Sequence, residues 1–388
     1  MSDAELAAQL ALLQLPKIGP ARLSWLLTAT AASEVLRHLR LGRLPPATGP
    51  RPSGVTSELV ARWFDVAGKL DELTLLGNYA KLGIEVIGKD DPRWQLTDDP
   101  EPPSVLFAQG RLGLLTRRPT VAIVGTRRCS TIGRTVARSF GSALAEAGVA
   151  VVSGLAAGID GAAHEGALST GRPAAIAIVG SGLDVVYPRA NAGLWRRLAQ
   201  DGLLISESPL GARPERWRFP ARNRIIAGFA DVVVVVESHA AGGSLLTVGE
   251  AVDRGVTVMA VPGAVTNPAS TGTNQLLVEG APPACTAEDI LDQLDRFDLP
   301  APAIDGEADR AGGEQPVIDR SVADVSMLGE LSALARSILA DASAGALHLD
   351  DLLDAHRVPI PQLLAAVDEL DRAGLATLDG STLITVHA

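Results

Sequence analysis

Lysine is scarce in this 388-residue chain: four occur, Lys17, Lys69, Lys81 and Lys89, all upstream of residue 120. Any phosphate bound beyond that point must be held by arginine and backbone amides, and arginine's planar fork suits that task. Cysteine is scarcer still. Cys129 and Cys285 are far apart and have no histidines at ligand spacing, which argues against a disulfide framework and a zinc site. No apolar run reaches the roughly 18 residues of a membrane helix. The N-terminus, Met1-Ser2-Asp3-Ala4-Glu5, is acidic where a secretion signal is basic. A cytoplasmic location with no membrane partner is expected. The nicotinamide fingerprint is also missing, since Gly125 is followed by Thr126, Arg127, Arg128 and Cys129, with no acidic residue ending the next strand.

Acidity is concentrated at one end. The formal net charge is -11, yet residues 300–388 hold 15 carboxylates against 5 arginines, leaving 29 basic and 30 acidic side chains in the first 299 residues. The body is neutral, so net charge does not exclude a polyanionic partner. A hydrophobic content of 47% is ample for two or three domains.

Four regions follow from periodicity and punctuation. Residues 1–80 read as short helices; Leu6, Leu10 and Leu13 recur at helical spacing before Leu15-Pro16-Lys17-Ile18-Gly19-Pro20 turns the chain into a second helix from Ala21. This is a helix-hairpin-helix pattern, which serves either as a weak phosphate contact or as a plain αα-hairpin. Residues 81–299 open with a short strand, 84–87, and a Pro-rich lead-in. Buried strands at 121–124, 149–152, 175–179, 203–206, 231–236 and 256–261 then alternate with helices, predicting a Rossmann-like, doubly wound parallel sheet in an α/β domain. Residues 300–320 have linker composition. Residues 321–388 predict a winged helix: helices near 328–340, 347–356 and 361–373, then a hairpin turning at Asp379-Gly380. Its third helix carries Asp368, Glu369 and Asp371 against Arg372, so it is expected to meet protein rather than DNA.

Ligands of such sheets gather at the carboxyl ends of the strands. The first strand runs through Val124 into Gly125-Thr126-Arg127, with a helix opening near Thr131 whose free N–H groups favour phosphate. Ser153-Gly154-Leu155-Ala156-Ala157-Gly158-Ile159-Asp160 follows the second strand, with Asp160 expected as the N-cap and His164 one turn on, where an Asp/His pair is conceivable. The third strand leads to Gly182, Tyr187, Arg189 and Asn191. Arg213–Arg224 holds five arginines in twelve residues with Trp217 and Phe219 interleaved, a composition suited to phosphates and unpaired bases, and leads into a helix expected over Asn223 to Ala230. Gly242-Gly243-Ser244 opens another helix, with Ser244 expected as its cap. Glu237 and Glu250 keep a nucleotide-cleaving function, similar to that of Rossmann-like phosphoribohydrolases, as the alternative.

Taken together, V-G-T-R at 124–127, S-G-L-A-A-G-I-D-G-A-A-H at 153–164, G-L-D-V-V-Y-P at 182–188, F-P-A-R-N-R-I-I-A-G at 219–228 and A-G-G-S-L-L-T at 241–247 resemble the DNA-processing protein A family. The resemblance spans nearly the whole chain. It implies a non-enzymatic mediator, without cofactor or metal, that binds single-stranded DNA, dimerises through the Rossmann-like domain and helps load RecA during natural transformation. The strand-binding residues it implies are Gly125, Thr126 and Arg127; Ser153, Gly154 and Gly158; Gly182, Arg189 and Asn191; Phe219, Arg222, Asn223 and Arg224; and Gly242, Gly243 and Ser244. Arg189 stands where relatives commonly carry lysine, which keeps the charge but changes the hydrogen-bond geometry.

Overall fold

The computed structural model describes residues 2–295 and, further on, residues 332, 334–335, 337–338, 347–348, 366–367, 369–370, 376–379 and 382–385. The chain divides into two compact units, Met1–Gly306 and Glu307–Ala388.

The first unit begins with five helices, α1 (Asp3–Leu13), α2 (Pro20–Leu26), α3 (Ala32–Arg40), α4 (Ser57–Lys69) and α5 (Glu72–Lys81). The expected hairpin is α1–α2. Its turn places Lys17 at φ 54, and the Trp63 indole donates to the Pro16 carbonyl at 2.9 Å from a fully buried position among Leu12, Leu26, Leu36 and Leu39. Burying each such side chain contributes about 1.5–3 kcal/mol. Tyr79 of α5 ties these helices to the sheet: its ring stacks 4.7 Å from Phe107 and its hydroxyl accepts from Leu210 N at 3.1 Å. Burial pushes this phenol up to about 12.

Eight strands follow, β1 (Glu85–Gly88), β2 (Val105–Gly110), β3 (Thr120–Val124), β4 (Ala150–Ser153), β5 (Ala175–Val179), β6 (Leu203–Ser206), β7 (Val232–Val235) and β8 (Thr257–Ala260), in the order β1-β2-β6-β5-β4-β3-β7-β8. All six expected parallel strands are present and mutually parallel. The sheet is nevertheless mixed, because β1 and β2 pair antiparallel with each other and β2 with β6. The lead-in thus extends the sheet by two strands, of which β2 was not expected; the run Val105-Leu106-Phe107-Ala108 is short and follows two prolines.

Side chains alternate across the sheet with period two. Val121, Ile123, Val151 and Val234 pack under α6 (Thr131–Glu146), α7 (Ile159–Ser169), α8 (Ala192–Asp201) and α12 (Ala287–Asp295). Ala122, Val124, Val152 and Val235 pack under α9 (Arg218–Phe229) and α10 (Ser244–Asp253). Both faces are covered, as continuous apolar strands require. From β3 the chain runs outward through β4, β5 and β6, then returns to place β7 on the other side of β3. The connections therefore diverge between β3 and β7, and a crevice opens at their carboxyl ends. Helix α11 (Thr271–Val278) follows β8.

The second unit contains an antiparallel sheet of β9 (Leu347–His348), β10 (Ala376–Asp379) and β11 (Thr382–Thr385), ordered β10-β11-β9. Asp379, expected in the hairpin turn, pairs with Thr382 as the last residue of β10; Gly380 lies outside the described residues. Leu347 and His348 lie in a strand where a helix was expected to start. Residues 334–335, 337–338, 366–367 and 369–370 are helical, as expected. The rest of the expected winged helix, and the linker at 300–320, lie outside the described residues. No described helix is long and apolar enough to cross a membrane.

Candidate functional site

A cleft of about 980 Å³ opens where the connections diverge, between the loop after β3, the loop after β7 and the flank of α9. Arg127, Arg128, Arg216 and Arg222 line it against one carboxylate, Asp160. Four guanidinium groups around one acid make this an anion-accepting surface.

The loop after β3 is built by close approach. A Cβ on Gly125 would lie 2.6 Å from Ile159 and 2.8 Å from the Glu237 carbonyl, the same carbonyl that accepts from Thr126 N at 2.8 Å. The Glu237 carboxylate accepts from Ser130 N at 2.8 Å, Ser130 Oγ at 2.6 Å and Asn267 Nδ2 at 3.2 Å. Ser130 Oγ in turn caps α6 by accepting from Gly133 N at 2.9 Å. At the N-terminus of α6, expected to offer free N–H groups to phosphate, Ser130 N and Gly133 N are therefore already bonded to a carboxylate and a hydroxyl. Glu237 is consumed as a bracket, and Glu250 pairs with Arg254, which also binds Asp99. Both acids are thus engaged by other side chains.

The loop after β4 supports the site from beneath. Ser153 Oγ donates to the Ile123 carbonyl at 2.6 Å, and Asn191 Nδ2 holds the Leu155 and Ala156 carbonyls at 3.1 and 3.2 Å. Gly158 is the N-cap of α7 at φ 86, and a Cβ there would meet the Thr126 carbonyl at 2.4 Å. Asp160 is thus not the cap; it lies inside the first turn and accepts from Ala156 N at 3.4 Å. Burial pushes its carboxyl above the usual range, against the pull of Arg222. No hydrogen bond joins it to His164. That imidazole is fully buried, and burial brings it down to about 3, with a Ser153 backbone contact opposing the shift and the Arg222 charge adding to it. It is a neutral core group at neutral pH.

Arg222 is 5% exposed and donates Nη1 to the Ile178 carbonyl at 2.6 Å. Its guanidinium rests on Gly154, where a Cβ would lie 1.8 Å from Nη1. Burial lowers it to about 10, with Asp160 opposing and Arg127 adding to the shift. Above it, the Arg127 guanidinium sits 5.2 Å from the Phe219 ring centroid, within cation–π range, and the Tyr187 ring lies 5.4 Å from Phe219, tilted by 39°. Arg127 has no carboxylate within ion-pair distance among the described residues, so its charge is available to a ligand.

Helix α9 starts at Arg218, inside the basic run rather than after it at Asn223 as expected. Helical spacing then puts Phe219, Arg222, Asn223 and Ile226 on the cleft face and Arg224 on the far side. Arg224 pairs there with Glu207. On α10, Gly243 is the N-cap and lines the cleft, while Ser244 Oγ donates to Ser238 Oγ at 2.9 Å instead of capping.

Of the expected residues, Gly125, Thr126, Arg127, Phe219, Arg222, Asn223, Gly243 and Ser244 line the cleft. Ser153, Gly154, Gly158 and Asn191 lie behind it as supports. Gly242 packs on Ser238 Oγ, Gly182 donates to the Ala212 carbonyl at 3.0 Å, and exposed Arg189 stands on a short 3-10 turn outside the lining. Arg128, Arg216, His239, Leu246 and Thr247 also line the cleft although they were not selected. Arg128 and Arg216 belonged to basic stretches visible in the sequence. Leu246 and Thr247 belong to the A-G-G-S-L-L-T motif, whereas His239 had no distinguishing signal.

A family model described as DNA recombination-mediator protein A matches residues 85–295, the span from β1 to α12. The DNA processing protein DprA of Streptococcus pneumoniae is 38% identical over 259 residues, covering 67% of this chain and 88% of that protein. Among solved structures, DNA processing protein A from Streptococcus pneumoniae gives a TM-score of 0.60 at 31% identity, covering 76% of this chain and 98% of that one. DNA processing protein A from Helicobacter pylori, solved to give insight into its single-stranded DNA binding mode, gives a TM-score of 0.50 at 28% identity over 55% of this chain and 96% of that one.

Proposed function

The chain belongs to the DNA recombination-mediator protein A family, and from that premise we propose that it binds single-stranded DNA in this cleft, without chemistry on the strand. It does so in the cytoplasm as a dimer formed through the Rossmann-like domain, and passes the strand to a RecA recombinase during DNA uptake. The observation that carries the proposal is the pairing of Arg127 with the Phe219 ring at the mouth of a cleft holding four guanidinium groups and one carboxylate. A cation beside an accessible aromatic takes a phosphate and stacks an unpaired base, and duplex DNA keeps its bases inside. The engaged states of Glu237 and Glu250 support binding over catalysis.

The test is anisotropy of a labelled single-stranded oligonucleotide, against matched duplex, across a salt series. Three or four neutralised phosphates give a log–log salt slope of about −2 to −3 for a single strand. Loss of a stacked base in Phe219→Ala weakens binding by about 1–3 kcal/mol, and Arg127→Ala flattens the salt slope. Salt-independent binding, or equal affinity for duplex, overturns the proposal. Mixing with RecA and following filament assembly on the bound strand tests the loading step.

A further inference from the structure

A second cavity, of about 660 Å³, lies across α9 from this cleft, between the α1–α2 hairpin and the segment after β6. One wall is apolar: Ile18, Leu23 and Leu27 of the hairpin region, continued by Pro102 and Pro103 of the lead-in. The facing wall is ionic and carries Glu207, Arg218 and Arg224.

The ionic wall is incomplete. Arg224 is 5% exposed and pairs through Nη2 with Glu207, but its Nη1 is buried with no partner among the described residues. Arg218 donates Nη1 to Ser208 Oγ at 3.0 Å and stacks 4.5 Å from the Trp217 ring centroid, while its buried Nε likewise has no partner. Buried donors without acceptors are costly; among the described residues Glu207 pairs with Arg224 alone, and the cavity lining carries three basic side chains, Lys89, Arg218 and Arg224, against two acidic ones, Glu101 and Glu207. Lys89 and Glu101 at the rim are exposed and of opposite sign. The unpartnered atoms are donors only, so an acceptor completes them, and the surplus positive charge favours one that is anionic. The volume is that of a small-molecule pocket.

We propose that this cavity binds a small organic oxyanion, a carboxylate or phosphate on an apolar body. The anionic end meets Arg218 and Arg224, and the body lies against Ile18, Leu27 and Pro102. The site is separate from the strand-binding cleft: the two cavities share a helix but no lining residue. A ligand there touches both the hairpin and the sheet region, so it also braces one against the other.

Calorimetry on the full chain tests this with phenyl phosphate and phenylacetate, and with benzyl alcohol as the neutral counterpart. Both anions are expected to bind saturably at one site per chain, with benzyl alcohol at least tenfold weaker. Affinity should fall at least tenfold in the Arg224→Gln/Glu207→Gln double variant, which removes the buried pair together and leaves Arg218 on its Ser208 hydrogen bond. Leu27→Glu, at a half-buried position, adds a like charge to the apolar wall and should do the same. Arg127→Ala and a saturating single-stranded oligonucleotide should leave anion binding unchanged. Absence of saturable binding by both anions, equal binding of benzyl alcohol, full affinity in both cavity variants, or displacement by the oligonucleotide would each overturn the proposal, the last by assigning the oxyanion to a DNA phosphate.

Discussion

Acid should weaken this fold through a single imidazole. His164 is fully buried beneath the cleft, and burial lowers it from 6.5 to about 3 against a Ser153 backbone contact. Because the folded value is depressed, the stability it contributes is complete above the unfolded value near 6.5 and is lost as pH falls toward the folded one. At about 1.4 kcal/mol per pH unit, the loss from pH 7 is about 2 kcal/mol at pH 5 and about 3 kcal/mol at pH 4. Asp160 and Glu207 act in the opposite sense. Their carboxyls are raised by burial, so they favour the fold below their unfolded values and lose that contribution as pH rises. Comparing wild type with His164→Met isolates the imidazole. Methionine fills an irregular apolar space and cannot be protonated, so the variant should lack this part of the acid response. Scanning calorimetry or tryptophan fluorescence at pH 7 and pH 5 reads the effect, and an extra wild-type loss of about 2 kcal/mol corresponds to a Tm fall of roughly 4–8 °C for a domain of this size. Equal pH dependence in the two proteins would refute the reasoning, since it would mean that the imidazole finds a hydrogen-bond partner or water once charged.

Three further predictions concern the supports of the cleft. Gly154→Ala places a methyl 1.8 Å from Arg222 Nη1 and so must displace a guanidinium fixed to the Ile178 carbonyl; a destabilisation of about 1–3 kcal/mol in urea titration is expected, with a loss of single-stranded DNA affinity in anisotropy. Ser130→Ala removes the α6 cap and one of the Glu237 hydrogen bonds, costing about 1 kcal/mol or more in the same titration. Asp99→Ala removes one of the two carboxylates on the buried Arg254 guanidinium and leaves it to Glu250 alone. It should cost about 1.5–3 kcal/mol and admit protease at residues 98–104, which limited proteolysis with mass spectrometry would detect.

Much of the cleft was legible because its chemistry is local. Arg127 follows a buried strand by three residues, and any parallel strand presents what comes next at its carboxyl end. Arg224 was not legible in the same way. It stands two residues from Arg222 in a run of arginines, and the expected helix began at Asn223; starting it at Arg218 sends the two side chains to opposite cavities. The same applies to Ser244, whose hydroxyl finds Ser238 across a loop rather than its own helix end.

The sequence by itself determined the six parallel strands, the helices between them, the arginines that line the cleft and the family, because periodicity, glycine turns and short motifs are properties of neighbouring residues. Tertiary structure alone decided which side of β3 receives β7 and therefore where the crevice opens. It also decided that Glu237 closes the α6 N-terminus from 107 residues away, and that Gly154 exists to seat a guanidinium 68 positions downstream. Those outcomes depend on atoms brought together only when loops from distant strands meet, and no local pattern encodes the distance between them.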